Sequence, residues 1–219
     1  MGNSLRHFKK VSAESIELLG ELHPLLEQLG RADGMFTLEA AATSLQLGQV
    51  QDLAALKHFL RTYTAQMLVA IELPAIHQAY ELASRNQCRE IIALDAQLAV
   101  QPMLRDFASA SRRVGQSWIK RLRPLRDQRL VQRYLHAVET GAAQGWHSIV
   151  YGITLSTYSV PAREGLLTYG SQTLRGFLYS ASARLRLTHE QSQDVLHELT
   201  AGLPASLEKL LGNRVPARI

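Results

Sequence analysis

The feature that most constrains this chain is the spacing of its apolar residues, which recur at three- and four-residue steps along nearly its whole length. That period lays one apolar stripe along a helix and leaves no alternation for a half-buried strand. Ile16, Leu19, Leu22, Leu26 and Leu29 predict a first helix, interrupted at Pro24 and stopped by Gly30. Phe36, Leu38, Ala41, Ala42, Leu45 and Leu47 predict a short second one ending near Gly48. Asp52 is a good N-cap for a third, carrying Leu56, Phe59, Leu60, Tyr63 and Met67, and Leu73-Pro74 marks a boundary or bend. Ile76, Tyr80 and Leu82 continue to Ser84, and Asn86 can cap a helix with Ile91, Ile92, Leu94 and Leu98. Pro102 suits the first turn of a helix through Leu104, Phe107, Val114, Trp118 and Ile119, broken at Pro124.

Another helix is expected over Arg129 to Thr140. The run Trp146 to Tyr158 is rich in β-branched residues but has no partner strand, so it reads as a buried helix. Pro161 opens a long helix to about Ala183. Thr188 and Gln191 form a capping box for the last helix, which is expected to reach Leu211 with a kink at Pro204. The expectation is an all-α protein: a single bundle of about ten helices over residues 1–219, with 1–11 and 212–219 flexible.

Composition narrows the function classes. Of the 219 residues 46% are hydrophobic and 20% charged, which excludes a disordered chain, and no run approaches a membrane span. Cys88 is the sole cysteine, so no intrachain disulfide and no cysteine-rich metal site can form. Met1–Lys10 lacks a signal-peptide core, and Arg6 stands where myristoylation needs Ser or Thr. A cytoplasmic protein is expected. The formal charge of +5 allows an acidic partner without naming one.

Catalytic patterns are missing from the sequence. There is no P-loop and no Gly-x-Ser-x-Gly elbow. His189-Glu190 begins like a zinc-protease helix, but Gln193 occupies the second ligand position. His189, Gln193 and His197 share one helix face and read as a polar surface stripe; His7, His23, His58, His77, His136 and His147 are scattered. Glu14, Glu17 and Glu21 read as a solvated face. A helical pocket near Trp118, Trp146 and His147 would be the place for an enzyme site. The segment Arg112–Arg133 stands out, with eight cations (Arg112, Arg113, Lys120, Arg121, Arg123, Arg126, Arg129, Arg133) against Asp127. It is compatible with nucleic acid or with an acidic protein surface, although stacking aromatics are not interleaved with it.

Four places fall in an order that resembles one family. Thr37-Leu38-Glu39-Ala40-Ala41 precedes Leu47-Gly48-Gln49-Val50, and Ile71-Glu72-Leu73-Pro74-Ala75 lies within Leu68 to Ala79. Leu94-Asp95-Ala96 precedes Leu104-Arg105, Ser109, Ser111 and Gly115. His147 to Gly152 is followed by Leu187 to Leu196. The set resembles the urease accessory protein F family, the helical chaperone subunits of nickel-urease maturation, as a divergent member. Thr37 replaces a glycine of the family pattern and Ser148 a proline; Thr188 and His189 replace Gly-Gln, leaving Gln193 as the match.

The resemblance implies a non-catalytic adaptor and a set of partners for it: a UreD/UreH-type scaffold, a UreG-type GTPase and apo-urease, with this chain paired as a homodimer. Nickel and GTP would be handled by those partners, with no cofactor bound by this chain. By the same resemblance Glu39, Arg105, His189 and Gln193 are candidate partner-contact positions, and Gly115 and Gly152 would allow close helix approach. A basic helical nucleic-acid-binding protein using Arg112–Arg133 is the alternative.

Overall fold

Asp52 starts, by local chemistry, the longest helical stretch among the described residues: its carboxylate accepts the backbone N–H of Ala55 at 2.7 Å. A computed structural model of the chain describes residues 32–212. Among these residues the elements are α1 (Ala32–Ser44), α2 (Leu53–Tyr63), a π-helical segment (Thr64–Glu72) and α3 (Leu73–Ser84). There follow α4 (Cys88–Ala99), a 3-10 turn (Pro102–Leu104), α5 (Ala108–Arg121) and α6 (Arg129–Glu139). The chain continues through α7 (His147–Thr157), α8 (Ala162–Leu185), α9 (His189–Thr200) and α10 (Leu203–Gly212). The architecture is all-α, as the apolar period requires. The expected first helix (Ile16 to Leu29, with Pro24 and Gly30), the acidic series Glu14, Glu17 and Glu21, and residues 1–11 and 213–219 lie outside the described residues.

Several boundaries differ from the sequence expectation. Leu73-Pro74 does mark a boundary, between the π-helical segment ending at Glu72 and α3 beginning at Leu73, but the chain stays helical across it from Leu53 to Ser84. The π-helical segment absorbs the proline: bonding there reaches five residues back, with Leu73 N–H on Leu68 C=O, and Pro74 enters at the first turn of α3. Asn86 does not cap α4. It adopts a left-handed φ of 57° and closes α3, its N–H on Ala83 C=O at 2.9 Å. Pro102 opens a separate 3-10 turn and α5 begins only at Ala108. α1 ends at Ser44, short of Gly48, where Gln46 turns left-handed at φ 56°. The last expected helix is two, since the chain turns at Ala201-Gly202 and Pro204 sits in the first turn of α10 instead of kinking one rod. Gly212, expected to fray, is the last residue of α10.

The capping box at the start of α9 is complete: Thr188 Oγ1 accepts Gln191 N–H and Gln191 Oε1 accepts Thr188 N–H. The run read as a buried helix is α7, in which every residue from His147 to Leu155 is buried. A helix apolar on all sides must be surrounded, and α7 lies against α3, α5 and α8. Buried apolar residues from Leu38 to Leu207 form one contiguous core. At its centre Tyr63, Phe59, Phe107 and Phe177 meet with ring centroids 4.8–6.5 Å apart.

Two glycines set how closely the inner helices approach. A Cβ on Gly152 of α7 would lie 2.5 Å from Ile76 O and 2.8 Å from Ala79 Cβ, both on α3. One on Gly115 of α5 would lie 2.2 Å from Gly145 O and 2.7 Å from His147 N. These neighbours are mostly backbone, which cannot swing aside. Gly152→Ala is therefore expected to cost about 3 kcal/mol, lowering the melting temperature by roughly 10 °C in a chain of this size. Gly48→Ala, which meets nothing within 4 Å, should stay within about 0.5 kcal/mol. Thermal melts of the two variants beside the parent protein check the contrast.

Candidate protein-docking surfaces

The residues best equipped for chemistry are inside, where they hold helices together. Asp95 of α4 is fully buried. Its carboxylate accepts the Tyr134 hydroxyl of α6 at 2.7 Å and the backbone N–H groups of Gln144, Gly145 and Trp146 at 2.5, 3.0 and 3.4 Å. This carboxyl group clasps the loop that leads into α7. Ser111 of α5 accepts His147 N–H at 3.3 Å, and Gln116 donates to Gln144 C=O at 2.8 Å.

A second buried acid, Glu72, ends the π-helical segment. It accepts hydroxyls from Tyr63 at 2.6 Å and Tyr169 at 3.3 Å. Burial outweighs those two donors and pushes its pKa up to about 7. The Tyr169 ring lies 5.0 Å from Tyr151 and 5.5 Å from buried His147, and burial lowers the His147 pKa to about 4. Tyr151 donates to Gly165 C=O at 3.1 Å. Trp118, Trp146 and His147, the expected place for an enzyme pocket, are instead built into the packing. Trp146 and His147 are buried, and Trp118 donates to Thr154 Oγ1 at 3.0 Å.

The outer surface holds the remaining candidates. Glu39 of α1 is exposed and paired with Arg184 of α8 at 2.6 Å. Arg105, after the 3-10 turn, is 83% exposed and lies 3.7 Å from Asp106. His189 and Gln193 of α9 touch each other, 2.9 Å between His189 Nε2 and Gln193 Nε2. Both line a groove of about 520 Å³ between α8 and α9, with Arg175, Leu178, Tyr179 and Leu196. Tyr179 is 69% exposed there, an unusual position for a ring of that size. Among the described residues no group of three or more His, Cys, Asp or Glu could hold a metal ion, and no helix is long and apolar enough to cross a membrane. The structure thus joins His189 to Gln193, pairs Glu39 of α1 with Arg184 of α8, and leaves Arg105 apart.

The basic segment is divided by the fold. Arg123 pairs with Glu139. The Arg112 guanidinium binds Gln144 Oε1 at 2.6 Å and lies 5.8 Å from the Trp146 ring centre; Arg121 lies 5.7 Å from that of Trp118. Lys120 and Arg121 point outward from the end of α5.

Sequence reasoning passed over the roles of Asp95, Glu72 and Tyr179. Asp95 carried a signal: Ile91, Leu94, Asp95 and Leu98 form one apolar stripe, so the carboxylate faces the core. Glu72 likewise lines up with Leu68 and Ile76. Tyr179 carried none, since nothing in its spacing distinguishes an exposed ring from an inward one.

The model of the UreF family matches residues 50–200 of this chain. The urease accessory protein UreF of Actinobacillus pleuropneumoniae is 21% identical over 193 residues, 88% of this chain and 85% of its own length. The UreF proteins of Ureaplasma urealyticum serovar 10 and Ureaplasma parvum serovar 3 are 21% and 20% identical over 137 residues. Those alignments cover 63% of this chain and 58% of each relative, so the chain spans under two thirds of their length.

The opposed shifts of Glu72 and His147 give a sign that can be checked. The folded state holds the Glu72 proton more tightly than the unfolded chain, so this group's contribution is full below about pH 4.5 and is lost as pH rises to about 7. His147 runs the other way: folding excludes its proton, so its contribution grows from about pH 4 to 6.5. Over their common window the two largely offset. Glu72→Gln removes one of them. Relative to the parent, its unfolding free energy is expected to rise between pH 4.5 and 7 by on the order of 3 kcal/mol, measured by denaturant titration at stepped pH.

Proposed function

This chain belongs to the UreF family, and on that premise we propose that it is a urease accessory adaptor that works by binding other proteins. In this reading it docks a UreD/UreH-type scaffold and a nickel-carrying UreG-type GTPase, and brings them to apo-urease in the cytoplasm. Nickel and GTP stay with those partners, the chain acts as a homodimer, and no bond is made or broken at its own residues.

The observation that carries the reading is the family match over residues 50–200. The geometry supports it in two ways. Two acid–base groups with displaced pKa values, Glu72 and His147, are sealed in the core where a substrate has no access. On the outside lies the α8–α9 groove, where an exposed ring beside Gln193 and His189 has the character of an interface anchor. Glu39 and Arg184 pair across α1 and α8, and Arg105 stands as a separate exposed contact position.

The test is co-expression with the urease operon proteins, followed by affinity capture and assay of urease activation. Capture of the accessory partners together with restored activation is the expected result. Failure of both would contradict the reading. Tyr179→Ala should lower capture about tenfold, the effect of losing an aromatic anchor worth roughly 1.4 kcal/mol. Its melting temperature should not move, because the ring is outside the core. Undiminished capture by that variant would remove the α8–α9 groove from the account.

A further inference from the structure

We propose that the outer stripe of α5 is a cradle for an acidic protein segment, with the carboxylates of that segment seated on Arg112, Lys120 and Arg121. The inference rests on the adaptor reading and names the chemistry of one partner and the face that receives it.

Helix α5 (Ala108–Arg121) contains no Asp or Glu. Ser109, Arg112, Gln116, Ser117, Lys120 and Arg121 recur along it at three- and four-residue steps, and they line an open groove of about 620 Å³. Hydroxyls, an amide and cations therefore face one strip of solvent with no carboxylate among them. The two guanidiniums are already oriented. Arg112 is fixed by Gln144 Oε1 at 2.6 Å and by the Trp146 ring at 5.8 Å. Arg121 lies 5.7 Å from the centre of Trp118, which is itself tied to Thr154 at 3.0 Å. Gln116 is held on Gln144 C=O. Side chains ordered before binding lose less entropy on meeting a ligand, and a guanidinium lying on a ring keeps an N–H edge for a carboxylate. The two are nine residues apart, roughly 13 Å along the axis, a span that one short segment can bridge.

Nucleic acid fits this strip less well. Single strands need open ring faces for their bases. Trp146 is buried, and Arg121 covers the half-buried Trp118. Carboxylates need only the donors that are present.

The probe is a fluorescent helical peptide with glutamates at four-residue spacing, titrated with the full chain, alongside a peptide carrying glutamine in their place. The glutamate peptide should bind in the micromolar range and weaken steeply with salt, while the glutamine peptide should not bind. Ser117→Glu, an exposed position in the middle of the groove, should weaken binding at least about tenfold without moving the melting temperature, and the pair Lys120→Glu with Arg121→Glu should weaken it at least as much. An oligothymidylate strand should fail to displace the peptide. Three results would overturn the inference: no binding of the glutamate peptide even at low salt, unchanged binding in folded Ser117→Glu, or displacement by the oligonucleotide at concentrations below the peptide's own. A chain that captures accessory proteins yet ignores the peptide overturns this inference alone. One that captures none of them overturns the adaptor reading first.

Discussion

The carboxylate of Asp95 is the interaction on which the arrangement of the inner helices depends. It is a buried polar group, so it needs donors, and it finds four: Tyr134 of α6 and three consecutive N–H groups of the loop before α7. Hydrogen bonds to a charged group contribute about 1.5–3 kcal/mol each, and a buried donor left without its acceptor costs a similar amount. One side chain thereby fixes α4, α6 and the entry angle of α7. Gly115 lets α5 rest on the same loop, with no room for a methyl group between them. Once α7 is aimed, Gly152 allows α3 to lie flat along it.

The long stretch α2–α3 reaches that contact only because it widens. The π-helical segment Thr64–Glu72 carries the chain past Pro74 and turns Glu72 toward Tyr63 and Tyr169. Polar interior groups thus join α2, α3, α7 and α8, while α8 also supports α1, α9 and α10. A protein that uses its buried acids and tyrosines in this way leaves its outer residues for other molecules. That division suits the proposed adaptor role, in which the α5 and α8–α9 faces would meet other proteins.

Much of the helix order was legible because a 3.6-residue period writes burial directly into the spacing of Leu56, Phe59, Leu60 and Tyr63, or of Leu130, Tyr134 and Leu135. Asp52 and Thr188 were legible because caps are local chemistry. The misread places depend on tertiary context. Asn86 can cap a helix or close one, and only the path of the chain decides. Pro74 marked a boundary correctly, but not that the chain stays helical across it by widening. The turn at Ala201-Gly202 was obscured because leucines continue on both sides of it. The docking faces were less legible than the core. Eight cations in Arg112–Arg133 marked a region, but burial and pairing withdrew some of them, and only the fold shows Arg112 and Arg121 resting on Trp146 and Trp118.

The most direct test of the central claim, that a rigid interior presents outer helix faces to other proteins, is hydrogen exchange on the chain alone and in complex with urease accessory proteins. In the free chain the amides of Gln144, Gly145 and Trp146 should exchange only through global unfolding. On binding, new protection should gather on α5, α8 and α9, with those three amides unchanged. Fast exchange at the Asp95 clasp in the free chain, or a complex that protects none of the outer faces, would contradict the account.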